Sequence, residues 1–133
     1  MISLTAEQAL RALAVLARRG DALTTEAIAL AAGVPAGSLA KIMHSLVRSG
    51  LATSQRGPHG GFALSRAPQL ISCLDVVLAV DPPPRAHAPD GDALARLILR
   101  ARQGQEELYR ATTIADLASR GVAEPLDGQL TGS

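Results

Sequence analysis

Residues 24–50 read TTEAIALAAGVPAGSLAKIMHSLVRSG, and this stretch decides the fold. Thr24 is the expected N-cap of a short helix, because its hydroxyl can accept a hydrogen bond from a first-turn N–H group. Gly33 is expected to end that helix, and Pro35 permits a second helix to start at once. Two helices joined by so short a turn predict a helix-turn-helix unit.

The second helix of this stretch is expected over residues 36–49, with Gly50 as its stop, and it is amphipathic. Its apolar residues fall at helical spacing: Leu39, Ile42, Met43, Leu46 and Val47. Its opposite face carries small and polar residues: Gly37, Ser38, Lys41, His44, Ser45 and Arg48. We therefore expect the apolar side to pack on a core and the polar side to remain accessible.

The flanking sequence predicts one more helix and a hairpin. Upstream, a first helix is expected to open at Thr5, whose hydroxyl begins a capping-box pattern, and to stop at Gly20. Downstream, the alternating runs 51–56 and 62–66 flank the turn-rich segment 57–61, which predicts a β-hairpin.

The second half of the chain predicts three further helices. Ser72 is the expected cap of a fourth helix over residues 71–80, and residues 82–91 have the composition of a linker. A long helix is expected over 92–111 and a short one over 114–120. In the long helix, small or apolar residues recur at alternating intervals of three and four positions. This is a seam of heptad type, which suits packing against a partner helix: Leu94, Leu97, Ala101, Gly104, Leu108 and Ala111.

The composition is that of a globular chain of 133 residues, with 47% hydrophobic and 19% charged residues, so wholesale disorder is excluded. The single cysteine, Cys73, excludes an intramolecular disulfide framework and an all-cysteine metal site within one chain. The net charge is +1, but residues 1–66 carry +4 and residues 67–133 carry −3. A basic half beside an acidic half is typical of a nucleic-acid-binding head on a separate body, although chance unevenness explains such a difference equally well.

Helix, helix, tight turn, helix and hairpin is the arrangement of a winged helix. In that arrangement the third helix enters the major groove of double-stranded DNA and the hairpin forms a wing. Arg56 is expected at the wing tip, where a guanidinium can enter a narrow minor groove or hold a phosphate. The alternative is that the polar helix face is only a solvated surface and the glycines only a turn.

Segments 56–64 (RGPHGGFAL) and 71–77 (ISCLDVV) resemble the Rrf2 family of bacterial winged-helix transcription regulators. Residues 9–13 and 113–117 are similar to the family's first helix and C-terminal segment, so the resemblance covers roughly residues 3–118. It implies a mainly α-helical winged helix-turn-helix fold with a small β-hairpin wing. It also implies a homodimer, held by the long C-terminal helix, on a partly palindromic operator.

The chain departs from the family in two places. Cluster-binding members carry three cysteines in the loop that corresponds to residues 82–91, whereas this segment and the residue after it offer Arg85, His87, Asp90 and Asp92. We therefore predict no metal site and no cofactor, and a cluster on His and Asp ligands is the disfavoured alternative. Cys73 is expected to be a small buried hydrophobe rather than a redox sensor. Many members also have Tyr-Leu-Glu where this chain has Ser38-Leu39-Ala40, so the operator is expected to differ.

Four parts are expected along the chain: a winged-helix DNA-binding domain (1–68), a connecting helix with a sensing-type loop (69–91), a dimerisation helix with a short terminal helix (92–120), and a flexible tail (121–133). The expected DNA-binding residues are Thr24, Thr25, Ser38, Lys41, His44, Ser45, Arg48, Arg56, Gly57 and His59. The expected dimerisation residues are Leu94, Leu97, Ala101, Gly104 and Leu108.

The expected function is that of a DNA-binding transcriptional regulator, a repressor, which binds double-stranded DNA as a homodimer without an iron–sulfur cluster. No enzyme activity, catalytic residue, secretory signal or membrane span is expected, so the protein is placed in the cytoplasm, on the nucleoid when bound to DNA. Two alternatives stay open. One is a winged helix used for protein–protein interaction, and the other is a regulator that responds to an unidentified metabolite or protein effector.

Overall fold

The computed structural model describes residues 2–57, 60–81 and 93–119. The described elements, in chain order, are α1 (Leu4–Arg19), α2 (Thr25–Ala32), α3 (Ala36–Arg48), β1 (Ala52–Gln55), β2 (Gly61–Leu64), a single 3-10 turn (Pro68–Leu70), α4 (Cys73–Val80), α5 (Ala93–Ala111) and α6 (Ile114–Ser119). This order confirms the mainly α-helical fold with a small hairpin. The expected sensing-type loop at 82–91 and the expected tail at 121–133 lie outside the described residues.

Helix α1 forms the centre of the fold and contacts α2, α3, α4, α6 and β2. Seven of its residues are buried, mostly small ones that allow close approach of the neighbouring helices: Ala6, Ala9, Ala12, Leu13, Ala14, Val15 and Leu16. The expected opening at Thr5 is wrong. Ser3 is the N-cap, because its side-chain oxygen accepts a hydrogen bond from the Ala6 N–H at 3.1 Å, and Thr5 is exposed in the first turn.

Helices α2 and α3 form the expected helix-turn-helix. The Thr24 hydroxyl oxygen caps α2 by accepting from the Ala27 N–H at 3.1 Å, and Gly33 ends α2 in the left-handed conformation. The chain bends by 111° between the two helices, within the roughly 90–120° of helix-turn-helix units. Among the described residues no single helix is long and apolar enough to cross a membrane, and α2 and α3 pass that test only together, across this bend.

The hairpin is antiparallel, with β1 pairing β2 from Ala52 opposite Leu64 to Gln55 opposite Gly61. Leu23, just before α2, exchanges two backbone hydrogen bonds with Phe62 at 2.9 and 2.8 Å, which fixes the hairpin to the helix-turn-helix. Gly61 has a φ of 147°, and a Cβ built on it would overlap the Leu23 carbonyl. Glycine is required there because the two backbones approach so closely, as well as for its positive φ.

The core is aliphatic, as the composition predicts. It takes Leu39, Ile42, Met43 and Leu46 from the apolar stripe of α3, while Val47 is only partly buried. Phe62 packs at the edge of this core. The apolar side of α3 is thereby fixed against the core, and most of its polar side remains exposed.

Helix α4 joins this core to the C-terminal helices. Ser72 caps α4 as expected, and Asp75 completes a capping box by accepting from the Ser72 N–H at 3.0 Å. The Cys73 N–H donates to the Thr112 carbonyl at 2.7 Å, which ties the start of α4 to the end of α5. Helix α6 then packs back on α1, whereas α5 contacts α4 and buries none of its own residues.

Candidate nucleic-acid interface

The polar face of α3 is the most prominent accessible surface of the helix-turn-helix. Ser38, Lys41, His44 and Arg48 are exposed, and Ser45 is half-buried. At about 100° per residue these positions share one side of the helix, opposite the buried stripe. The structure therefore brings together all the major-groove residues that the sequence predicts, with Arg48 beside them.

The start of α3 favours an anionic partner. Its N-cap is Pro35, which has no polar side-chain atom to accept a hydrogen bond, and its first turn holds no acidic residue. The positive end of the helix dipole is therefore not neutralised by a side chain of this turn. Ser38 and Lys41 lie in the first two turns of α3, so hydrogen-bond donors and one positive charge lie near this end, while Arg48 lies in the last turn.

The start of α2 carries two of the residues expected to bind DNA, Thr24 and Thr25. Thr24 is exposed and Thr25 is half-buried. The Thr24 oxygen already accepts the capping hydrogen bond from Ala27, and its O–H can still donate to an external acceptor. The sequence predicts both uses of Thr24, as a cap and as a DNA-binding residue, and the observed cap is compatible with the second use.

The hairpin tip is described only in part. Arg56 is exposed directly after β1, and Gly57 follows with a φ of 116°. His59 lies outside the described residues. Arg56 directly follows Gln55, the last paired residue of β1, so it lies at the turn end of the hairpin.

The expected dimerisation residues lie on α5, and they are all exposed in the single chain: Leu94, Leu97, Ala101, Gly104 and Leu108. Three of them are leucines whose exposed fractions are 63%, 63% and 65% in chain order. Ile98 and Leu99, which the predicted seam leaves out, are also exposed.

Two clefts adjoin the helix-turn-helix. One lies between α1 and α3, and its α1 side includes Thr5 and Gln8, which the sequence predicted only as a capping-box pair at the start of α1. No local pattern could have placed them in a cleft, because only tertiary packing brings α1 beside α3. The other has a volume of about 280 Å³ and lies between the end of α3, the start of β1 and α4; its lining includes Arg66 and Asp75.

A family model described as "Rrf2: Iron-dependent Transcriptional regulator" matches residues 2–120. Iron bound through thiolates does not fit the residues present. The chain has one cysteine, Cys73, whose thiol is buried; burial first, and then the Asp116 carboxylate, raise its pKa to about 11. Within the described ranges, no three His, Cys, Asp or Glu side chains are grouped closely enough to hold a metal ion. His87 and Asp90 lie outside those ranges.

Curated relatives are named as HTH-type transcriptional regulators. One from Aquifex aeolicus is 42% identical over 74 residues, which are 55% of this chain and 51% of that protein. The chain thus spans about half of that relative's length. One from Mycobacterium tuberculosis is 32% identical over 136 residues, which cover 92% of this chain and 84% of the relative.

Solved structures with the same fold include CymR, named as the global cysteine regulator of B. subtilis, with a TM-score of 0.79 and 27% identity over 90% of this chain and 97% of that one. The match to IscR of T. potens has a TM-score of 0.79 at 22% identity and covers 98% of this chain and 96% of the IscR chain. At this identity the match supports the fold alone. With the family match over nearly the whole length, the chain belongs to the Rrf2 family of DNA-binding transcriptional regulators, a family of non-enzymatic proteins.

Proposed function

We propose that this regulator acts as a homodimer, binds a partly palindromic operator and represses transcription. The observation that carries the proposal is the state of α5, a helix of 19 residues with no buried residue and a row of exposed leucines. A helix of this kind gains stability by packing its apolar face, and a contiguous exposed apolar surface is typical of an interaction site. A second copy of α5 is the simplest complement to the three-four seam.

A two-fold dimer gives the operator its expected symmetry. Two copies of α3, related by the dimer axis, would enter successive major grooves on one side of the duplex. The half-sites would then be inverted repeats about one helical turn apart. Repression would follow where the operator overlaps a promoter, because a bound dimer would then exclude other proteins from that site.

The DNA-contacting residues divide into three groups. Ser38, Lys41, His44 and Ser45 would face base edges in the major groove, where Lys41 can donate to guanine acceptors. Thr24, Thr25 and Arg48 would contact phosphates, and Arg56, Gly57 and His59 would form the wing contact. In this proposal residues 1–68 act as the DNA-binding part, and residues 92–120 hold the dimer.

Selection from a random pool of duplexes at moderate salt tests the proposal. Enrichment of an inverted repeat with half-sites about one turn apart is the expected result. If the protein retained duplexes without enriching any sequence, only electrostatic binding to DNA would be left. If it retained no duplex, a winged helix used for protein–protein contact would be favoured.

Arg56→Ala tests the wing. We expect it to weaken binding to the selected operator about tenfold or more and to lower the salt slope by about two, because each copy in the proposed dimer loses one phosphate contact. Arg66→Ala is the matched control, because Arg66 is an exposed arginine that follows β2 at the other end of the hairpin. Equal affinities and salt slopes for the two variants would contradict the wing assignment.

A response to a metabolite is the second candidate, and the cleft of about 280 Å³ favours it. Arg66 and Asp75 place opposite charges at its lining, which suits a small zwitterionic ligand. A thermal-shift screen with amino acids tests this candidate. A stabilisation that Arg66→Ala removes would support it, and the absence of any shift would count against it.

A further inference from the structure

The cleft between α1 and α3 has a volume of about 410 Å³ and a lining suited to hydrogen bonding with an anion. Its lining residues are Leu4, Thr5, Gln8, Gly37, Ser38, Lys41, Ile42 and Ser45. These supply three hydroxyls, one amide and one ammonium group, and none of them carries a carboxylate. Each of these polar groups can donate a hydrogen bond, so the cleft is a surface of donors.

The α3 side of this cleft is part of the proposed DNA surface, but the α1 side is not. Thr5 is exposed and Gln8 is half-buried. The Thr5 hydroxyl is not used as the helix cap, because Ser3 has that role. Both side chains therefore line the cleft without having been assigned any part in DNA binding.

The acidic residue nearest to Gln8 in the sequence does not oppose an anion here. Glu7 precedes Gln8 on α1, and its carboxylate Oε1 lies 3.5 Å from the Arg11 guanidinium, one turn further along the helix. This ion pair partly neutralises Glu7, and the carboxylate is not part of the cleft lining. The charge contributed to the lining is that of Lys41.

We propose that the sugar–phosphate backbone of one operator strand enters this cleft, and that Thr5 and Gln8 donate hydrogen bonds to its phosphate oxygens. This inference rests on the proposed binding of α3 in the major groove. A helix in that groove has a backbone strand on each side of it, and the cleft adjoins the polar face of α3 through Ser38, Lys41 and Ser45. The two α1 residues would thus extend the phosphate footprint beyond the helix-turn-helix and the wing.

Neutral donors give this contact a distinctive signature. Thr5 and Gln8 release no counterions when they bind a phosphate, so they add affinity without adding to the salt slope. They read no base edge either, so they strengthen binding to specific and nonspecific duplexes alike. Lys41 should differ on both counts. Its loss removes one cation from each copy of the dimer, which lowers the salt slope by about two, and it removes a base contact, which weakens the operator complex more than the nonspecific one.

The test is a charge series at Gln8, measured by fluorescence anisotropy on the selected operator and on an unrelated duplex over a range of salt. Gln8→Ala is expected to weaken both complexes about tenfold with an unchanged salt slope. Gln8→Glu is expected to weaken them further by repulsion from the phosphate. Gln8→Lys is expected to restore or tighten binding and to raise the salt slope by about two, one for each copy in the dimer.

Gln69→Glu and Gln69→Lys are the matched controls, because Gln69 is exposed on the 3-10 turn that packs on α6. They measure the effect of changing the net charge anywhere on the protein. Circular dichroism and sedimentation of each Gln8 variant report the fold and the oligomeric state. A variant that loses DNA and its dimer together would show that a second copy occupies the cleft, which overturns the inference.

The two proposals fail in different ways. If the wild type binds no duplex, or if Lys41→Ala changes neither affinity nor salt slope, the proposed major-groove role of α3 is wrong. If the wild type and Lys41→Ala behave as expected while the Gln8 series matches the Gln69 series, only the role of the cleft is wrong.

Discussion

Helices α1 and α5 are both long, and they have opposite surroundings. Seven of the 16 residues of α1 are buried, and alanine is the commonest of them, whereas none of the 19 residues of α5 is buried although five large apolar side chains lie on it. Apolar content alone therefore does not say where a helix will be buried. The alanines of α1 allow four other helices of the same chain to pack on it. The leucines of α5 instead form an exposed surface that a second molecule can cover.

The same contrast explains how the molecule divides its tasks. The elements packed around α1 hold α3 and the hairpin in a fixed relation, through contacts such as the Leu23–Phe62 backbone pair. Helix α5 is attached to this body mainly through α4 and the Cys73–Thr112 hydrogen bond. Within one copy the core around α1 is fully packed, while the leucines of α5 remain exposed. Burial of each such leucine in a dimer would contribute roughly 2 kcal/mol of stabilisation.

The largest effect on the fold is expected at the centre of α1. Leu13 is 0% exposed, and Leu13→Ala should lower the free energy of unfolding by about 3 kcal/mol, because it removes apolar contacts and leaves a cavity. Urea denaturation measures the change. Leu30→Ala on α2 is the control, because Leu30 is 84% exposed and should change the stability by less than about 0.5 kcal/mol. If the two variants lost similar amounts of unfolding free energy, Leu13 would not lie in the core of the protein.

Substitutions on α5 should change the association of two chains rather than the folding stability of each chain. Leu97→Asp should leave the helical content of each chain nearly unchanged while it weakens the proposed dimer a hundredfold or more, since a charge would enter an apolar seam. Analytical ultracentrifugation over a range of concentrations measures this effect. Gln103→Asp, on the side of α5 opposite the seam, is the matched control and should preserve the dimer. A Leu97→Asp protein that remains dimeric would place the interface elsewhere.

Local patterns predicted most of this architecture because they act over a few residues. The caps Thr24 and Ser72 and the stop at Gly33 are confirmed, since each depends on a hydrogen bond or a backbone conformation within one turn. The predicted start of α1 was wrong because Ser3 and Thr5 both have a hydroxyl near the first turn. The sequence does not say which of the two accepts the capping hydrogen bond from the backbone.

Features that need distant segments could not be predicted in this way. Gly61 was expected only as a turn residue, and its close approach to Leu23 depends on pairing across nearly forty residues. Gln8 was expected only as the partner of Thr5 in a capping box, because its place in one cleft with Lys41 follows from the packing of α1 on α3. The polar face of α3, in contrast, was predicted in full, because helical periodicity alone determines which residues share it.

The smallest expected effect concerns Cys73, which lies where α4 joins the buried body to the end of α5. Burial, and secondarily the Asp116 carboxylate, raise the pKa of its thiol to about 11, so at pH 8 its thiolate is about a hundredfold scarcer than that of an ordinary thiol with a pKa of 9.0. Alkylation by iodoacetamide, followed by mass spectrometry, should therefore be slow and should accelerate about tenfold per pH unit until close to pH 11. The urea-unfolded chain is the control and should react at the ordinary rate. A rate that levels off near pH 9 in the folded protein would show an accessible thiolate, and would restore Cys73 as a candidate redox sensor at the junction with α5.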